Sequence, residues 1–160
     1  MDNPLKILSA IRHARRPSRL SDMPTLRNSF WLRKGYAGLT FFGTIIAPSD
    51  DDVRAFERKG STMKNHEMIH LRQAQSTHDS WLLFYLLYGW YYLTALPQNL
   101  KMRNAAYRLN PFELEAYAHQ DELDYLSRHE ATEWRQWARF SPRQRREKLF
   151  GKTGRSQAKG

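Results

Sequence analysis

His66-Glu67-Met68-Ile69-His70 is the stretch that decides how the rest of this 160-residue chain is interpreted. On an α-helix, residues four apart lie on one face, so His66 and His70 would present two imidazoles side by side. Two imidazole nitrogens at this spacing can bind one Zn²⁺ at about 2.0–2.1 Å. A glutamate beside the first histidine can hydrogen-bond a metal-bound water and take its proton. The motif therefore predicts a zinc site on a helix, with Glu67 as general base and then proton shuttle.

The residues around the motif predict where its helix begins and ends. Gly60 is a helix breaker and Ser61 is a favoured N-cap residue, so a helix is expected from there through Gln75. Gln73 would then lie on the same side as the two histidines. Two interpretations of Gln73 stay open, because it could hydrogen-bond a ligating histidine or be an ordinary polar surface residue.

A catalytic zinc site normally needs a third protein ligand. His78 is a poor candidate, because a straight helix would place it about 12 Å along the axis from the second motif histidine. Glu113 and Glu115 are better candidates on a second helix, which Asn110 as N-cap predicts together with the proline that follows it. The two glutamates lie about 200° apart around that helix, so only one would face a metal. Glu113 also occupies a position where glutamate can cap the helix, and local reasoning leaves the choice between them open.

Together, the two motifs resemble those of the glutamate-ligand zinc metallopeptidases, the gluzincin group of the zincins. In several branches of that group the third ligand is the first glutamate of a Glu-x-x-x-Asp/Asn stretch on the following helix. The resemblance implies Glu113 as third ligand beside His66 and His70, with Tyr117 where the family usually has Asp or Asn. It covers roughly residues 36–128. It implies a zinc-dependent metallopeptidase in which zinc-bound water, activated by Glu67, hydrolyses a peptide bond in a peptide or protein substrate.

An uncharged segment of sixteen residues, 81–96, contains seven aromatic residues. Asp79 and Ser80 suit a helix start, and Pro97 is a natural stop. A spanning helix needs about 20 apolar residues, and this run is shorter. A buried helix behind the metal helix is the favoured interpretation. Insertion at a membrane interface, where Tyr and Trp rings are common, is the other, and a single membrane span is the weakest.

Strand signals are confined to the region before the motif. Residues 38–48 are rich in β-branched and aromatic residues and end at a proline, so they predict one β-strand. Residues 29–32 are its expected hairpin partner, joined through 34–36. Residues 112–140 are expected to continue as helix. The predicted fold class is α+β, mostly α, with a small sheet at about residues 29–47 packed on a helical body that contains the motif.

Charge is concentrated at the two ends of the chain. Residues 1–34 have a net charge of +6, residues 141–160 also have +6, and residues 35–140 have −2. The chain is therefore divided into a basic N-terminal segment (1–28), a metal-binding domain (29–140) and a basic tail (141–160) expected to be disordered. Such ends can bind an anionic membrane surface. They can also bind nucleic acid, which is the less favoured partner.

Zero cysteines exclude disulfides and thiolate zinc sites, so a zinc ion would need histidine and carboxylate ligands. The first residues lack the apolar stretch of a secretory signal. The expected location is cytoplasmic, either free or peripheral to or embedded in the inner face of a membrane. The alternative function is a non-catalytic or structural-zinc binding protein that associates with a membrane surface or nucleic acid through its basic ends.

Overall fold

The structure is a computed structural model that describes residues 25–27 and 38–151. These residues are mostly helical with one small sheet, which confirms the predicted α+β, mostly α, class. The strands are β1 (Thr25–Arg27), β2 (Leu39–Phe41) and β3 (Thr44–Ala47). The helices are α1 (Asp50–Glu57), α2 (Thr62–Ser76), α3 (Trp81–Ala95), α4 (Ala105–Arg108), α5 (Pro111–His119), α6 (Tyr125–Arg128), α7 (Trp134–Ala138) and α8 (Pro142–Phe150), and a 3-10 helix spans Leu96–Leu100.

The chain divides into two compact units. The first comprises the residues up to Phe84 together with Ala116–Thr132, and the second comprises Tyr85–Glu115 together with the residues from Glu133 onward. The sheet, α1 and α2 belong to the first unit. Helices α3 and α5 each contribute residues to both units.

The sheet has the order β1-β3-β2, with β3 parallel to β1 and antiparallel to β2. The prediction of one strand over 38–48 is wrong, because the chain reverses at Phe42-Gly43, where φ is 48° and 81°. Two residues with positive φ form the tight turn that best matches the twist of a hairpin, and glycine favours that conformation. The turn was not predicted because the residues on both sides of it are types that favour β-strands. The predicted partner, 29–32, lies outside the described residues.

Helix α2 begins and ends close to its predicted bounds. The Ser61 hydroxyl accepts a hydrogen bond from the Lys64 backbone N–H at 3.2 Å, which satisfies one of the unpaired donors of the first turn. His78 and Asp79 follow the helix with φ of 58° and 54°, and this turn ends it. On its apolar side, Ile69 is fully buried in a cluster with Ala116, Tyr125, Leu126 and Ala131.

Helix α3 has one buried side, on which Trp81, Phe84 and Ala95 are almost completely shielded from solvent. The Ser80 hydroxyl accepts from the Leu83 backbone N–H at 3.2 Å, and the helix ends before Pro97, as the sequence predicts. No helix among the described residues is long and apolar enough to cross a membrane.

The prediction of a continuous helix over 112–140 is wrong. Helix α5 ends at His119, and the Asn65 side-chain amide donates to the carbonyls of His119, Gln120 and Glu122 at 3.3, 2.8 and 3.1 Å. These carbonyls lie in the turn that follows α5, and they accept from a side chain of α2 where a longer helix would have used them in its own hydrogen bonds. A positive φ of 47° at Ala131 accompanies a further interruption before α7.

In the second unit, residues 142–150 form helix α8, although the sequence predicts that they belong to a disordered tail. Ser141 and Gln144 form a capping box at its start. Arg145 is buried and donates to the carbonyls of Leu109 at 2.5 Å and Phe140 at 2.8 Å. Burial lowers the pKa of the Arg145 guanidinium to about 10, because removal from water disfavours the charged form. The disorder prediction is therefore wrong for 142–150, and residues 152–160 lie outside the described chain.

Candidate metal centre

The two motif histidines lie side by side in the first unit, as the spacing predicts. His66 and His70 are both on α2, their ring centroids are 4.9 Å apart, and their planes are nearly perpendicular at 85°. Each is only 6% exposed. Two imidazoles one helical turn apart and shielded from water are thus brought together by local backbone geometry alone.

Each imidazole is oriented by a glutamine. Nδ1 of His70 lies 2.8 Å from the side-chain oxygen of Gln73, and Nδ1 of His66 lies 3.2 Å from the side-chain oxygen of Gln120. Because an amide oxygen only accepts hydrogen bonds, this geometry assigns Nδ1 as the donor in each pair, and in a neutral imidazole this leaves the lone pair on Nε2. This is how a ligating histidine is normally held, with its second nitrogen donating to an oxygen.

Gln73 and Gln120 differ in how far the sequence could predict them. The surface interpretation of Gln73 is wrong, because this residue is fully buried and contacts His70. Gln120 was missed, since it lies 54 residues from His66 in the turn after α5. The three hydrogen bonds of Asn65 described above hold that turn against α2. No helical spacing rule links these positions.

Glu67 is half-buried, and its carboxylate accepts a hydrogen bond from the hydroxyl of Thr40. Thr40 is buried in β2, a strand at the edge of the described sheet, and β2 packs on α2. The sheet therefore does more than cover the core, because one of its side chains orients the carboxylate of the motif. Thr40 was not singled out from the sequence, where it is one polar residue within a strand.

Two aromatic rings pack against the histidines. The Tyr117 ring centroid lies 4.6 Å from that of His66, and the Phe84 centroid lies 6.1 Å from that of His70. Tyr117 is half-exposed, whereas Phe84 is buried. At the position where the resembled family usually has a carboxylate or amide, this chain therefore packs an aromatic ring on the first histidine.

Glu113 belongs to the second unit, where it is 3% exposed. Its Oε1 accepts a hydrogen bond of 2.8 Å from the Tyr88 hydroxyl of α3. Asn110 begins α5 as predicted, since its side-chain oxygen accepts from the Phe112 backbone N–H at 3.2 Å. The Asn110 amide also donates to the Tyr88 carbonyl at 3.1 Å, which fixes α5 to α3 within this unit.

Glu115 has a different environment from Glu113. Its two carboxylate oxygens accept from the backbone N–H groups of Glu133 at 3.0 Å and Trp134 at 3.2 Å, at the start of α7. Glu115 is fully buried. A carboxylate that satisfies two unpaired donors of a helix start has a structural role there. The Glu113 carboxylate, by contrast, accepts a hydrogen bond from the Tyr88 hydroxyl.

The remaining histidines that follow the motif have other surroundings. His119 and His129 both stack on the ring of Tyr125, with centroid distances of 4.0 and 4.8 Å. Nδ1 of His119 also lies 2.9 Å from a carboxylate oxygen of Glu122. His78 is exposed in the turn after α2. These contacts give His119 and His129 a packing role beside a buried tyrosine.

Comparison of the chain with protein-family models, with curated proteins and with solved structures gives no match.

Proposed function

We propose that this protein is a zinc-dependent metallopeptidase of the gluzincin type, in which His66, His70 and Glu113 bind one zinc ion and Glu67 is the general base. The observation that supports this most strongly is the arrangement on α2. Both imidazoles are buried, each has its Nδ1 paired with a glutamine oxygen, and the adjacent Glu67 is oriented by Thr40. Structural stability alone does not require two buried imidazoles held in this way.

The donor set suits zinc. Zinc is bound by imidazole nitrogens and carboxylate oxygens as well as by thiolates, and this chain has no cysteine. A carboxylate as shielded as that of Glu113 is costly to bury unless a cation or several donors stabilise its charge. The Tyr88 hydroxyl supplies one such donor, and a bound dication would supply the charge. Two histidines and one carboxylate also leave a coordination position for water.

Helix spacing on α5 and α3 supports the choice of Glu113. On α5, Glu113 precedes Tyr117 by four residues and therefore shares its face, and the Tyr117 ring packs on His66. On α3, Tyr88 follows Phe84 by the same spacing. Phe84 contacts His70, and Tyr88 hydrogen-bonds Glu113. In both α3 and α5, therefore, one aromatic residue contacts a motif histidine. The residue one turn away on the same helix belongs to the hydrogen-bonded pair of Tyr88 and Glu113.

In the proposed reaction the residues have separate tasks. Bound zinc would lower the pKa of a coordinated water toward about 7 and polarise the scissile carbonyl. The Glu67 carboxylate accepts the proton of the attacking water and then delivers it to the amine that leaves. The Thr40 hydroxyl holds this carboxylate in place. Gln73 and Gln120 orient the two imidazoles through Nδ1, so that both Nε2 atoms would be available to bind the metal.

The test is metal analysis of the purified full-length chain after exposure to zinc and removal of loosely bound metal. The proposal expects one zinc per chain in the wild type and loss of that zinc in the His66→Ala/His70→Ala variant. His129→Ala is the matched control, since this histidine stacks on a tyrosine, and it should keep the zinc. Absence of zinc from the wild-type chain at neutral pH, or its retention by the double variant, would overturn the proposed function.

A further inference from the structure

Helix α3 exposes an apolar face as well as burying one. Leu86, Trp90 and Leu93 are 63%, 63% and 60% exposed, although they belong to a segment without charge. They are spaced four and three residues apart, so they form one stripe along the helix. A helix that is apolar all round is normally enclosed by protein or by lipid. Here the described residues leave the second face largely exposed.

Apolar exposure continues beyond the end of α3. Leu100, at the end of the 3-10 helix, is 92% exposed, and Tyr92 and Leu96 are partly exposed. Isolated exposed leucines are common, but several large apolar side chains exposed along one face of a helix indicate a site of interaction. Trp90 and Tyr92 are also the residue types that concentrate at the headgroup level of a bilayer.

The unit that contains this stripe is basic. Its described residues, 85–115 and 133–151, include nine Lys/Arg and four Asp/Glu, a net charge of +5. The described residues of the first unit, 25–27, 38–84 and 116–132, include seven Lys/Arg and ten Asp/Glu, a net charge of −3. Lys101 and Arg103 come just after Leu100 in the chain and are both exposed. Positive charge is therefore concentrated on the same unit as the exposed apolar face.

We propose that the stripe of Leu86, Trp90 and Leu93, together with Lys101 and Arg103, docks this protein onto an anionic bilayer surface. At about 1.5 Å per residue, the fifteen residues of α3 extend about 22 Å, which is less than the roughly 30 Å of a hydrocarbon core. The helix therefore lies at the interface with one face among the headgroups and upper acyl chains. The cations following it bind anionic headgroups.

An anionic bilayer fits this surface better than an acidic protein. Residues 85–100 contain no charged side chain. Apart from four tyrosines, whose rings suit a bilayer interface, only Thr94, Gln98 and Asn99 have polar side chains that can hydrogen-bond through an amide or an aliphatic hydroxyl. A protein interface surrounds its apolar centre with a polar rim that makes specific hydrogen bonds. A lipid surface needs only apolar area beside positive charge, and these are the features present.

The test is co-sedimentation of the full chain with phosphatidylcholine vesicles, with and without phosphatidylglycerol. Wild-type protein should bind vesicles that contain phosphatidylglycerol, and high salt should weaken this binding. Leu86→Ser/Trp90→Ser/Leu93→Ser should reduce the partition coefficient more than tenfold, because three apolar side chains no longer enter the interface. Lys101→Glu/Arg103→Glu should reduce it by roughly 25-fold or more, at about fivefold per cation.

Two control variants test whether binding depends on the location of these residues and not only on the total charge or total apolar area of the protein. Leu123→Ser removes an apolar side chain of similar exposure, 56%, from the first unit and should leave binding unchanged. Arg58→Glu/Lys59→Glu reverses two exposed charges of the first unit and should have a smaller effect than the change at 101 and 103. Circular dichroism of each variant checks that loss of binding does not come from loss of the fold. Equal binding by the wild type and the triple serine variant would overturn the proposal, as would self-association through this face without vesicle binding.

Discussion

Helices α2 and α3 are both fifteen residues long, yet they reverse the usual relation between polarity and burial. In α2, four of the seven buried residues are polar: Asn65, His66, His70 and Gln73. In α3, which has no charged residue, large apolar side chains are more than half exposed. Burying polar groups costs free energy unless they are hydrogen-bonded, and exposing a stripe of large apolar groups is costly as well. Each reversal is therefore a departure from the usual pattern, and such departures are expected at functional sites.

The two helices also differ in how their unusual residues are supported. Every buried polar residue of α2 has a hydrogen-bond partner within the first unit, through Gln120, Gln73 or the carbonyls after α5. For the exposed apolar residues of α3, we propose contact with an anionic bilayer instead. A rigid, fully paired network suits a site that must hold ligands in fixed positions. A smooth apolar stripe suits contact with a fluid surface.

The largest expected effect concerns chemistry on α2. Glu67→Gln removes the proton acceptor but keeps the size of the side chain, so peptide hydrolysis should fall by about 10²–10⁴-fold while zinc stays bound. The measurement is cleavage of unstructured protein substrates by zinc-loaded chain, with metal content determined on the same samples. Glu130→Gln, at an exposed position, is the control and should keep full activity. Full activity in Glu67→Gln would favour the alternative of a non-catalytic zinc-binding protein.

The next largest effect is on zinc affinity, and it is expected for Gln73 but not for Gln75, which lies on the same helix. Gln73→Ala removes the oxygen that accepts from His70, and zinc affinity should fall by about 10–100-fold. Competition with a coloured chelator measures this. Gln75→Ala removes the same atoms two residues away and should leave affinity within about twofold, because residues two apart on a helix do not share a face. Similar losses in both variants would show a general effect on α2 instead.

A pair of variants compares the helices in stability. Asn65→Ala leaves three carbonyls without their side-chain donor and should lower the free energy of unfolding by about 1–3 kcal/mol. Leu86→Ala on α3 should change it by less than about 0.5 kcal/mol, although leucine is the more apolar residue, because Leu86 is largely exposed. Urea denaturation of the metal-free proteins measures both. The opposite ranking would contradict the assignment of the α3 stripe to an external surface.

Local features of the sequence predicted much of the secondary structure. Ser61 and Asn110 begin helices because their side chains accept from nearby backbone N–H groups, and such signals lie within a few residues of each other. The motif likewise predicted the histidine pair, since i and i+4 are neighbours on any helix. These predictions required no knowledge of tertiary contacts.

Long-range contacts account for what could not be predicted. The end of α5 depends on Asn65, which is more than fifty residues away, so 112–140 was expected to continue as helix. Gln120 and Thr40 contact the motif across 54 and 27 residues. The division at Phe42-Gly43 was missed for a different reason, because strand residues on both sides outweighed a single glycine. The zinc ion, the reaction and the membrane surface remain predictions.

The proposed metal centre is tested most directly by comparing the zinc affinity of Glu113→Gln with that of Glu115→Gln. Both changes replace one buried carboxyl group of α5 by an amide and keep the shape of the side chain. Glu113→Gln should weaken zinc binding more than 100-fold, since an amide oxygen is a poor zinc ligand. Glu115→Gln should keep zinc and lose stability, because it disturbs the two backbone hydrogen bonds at the start of α7. Unchanged zinc affinity in a folded Glu113→Gln variant would contradict the proposed site.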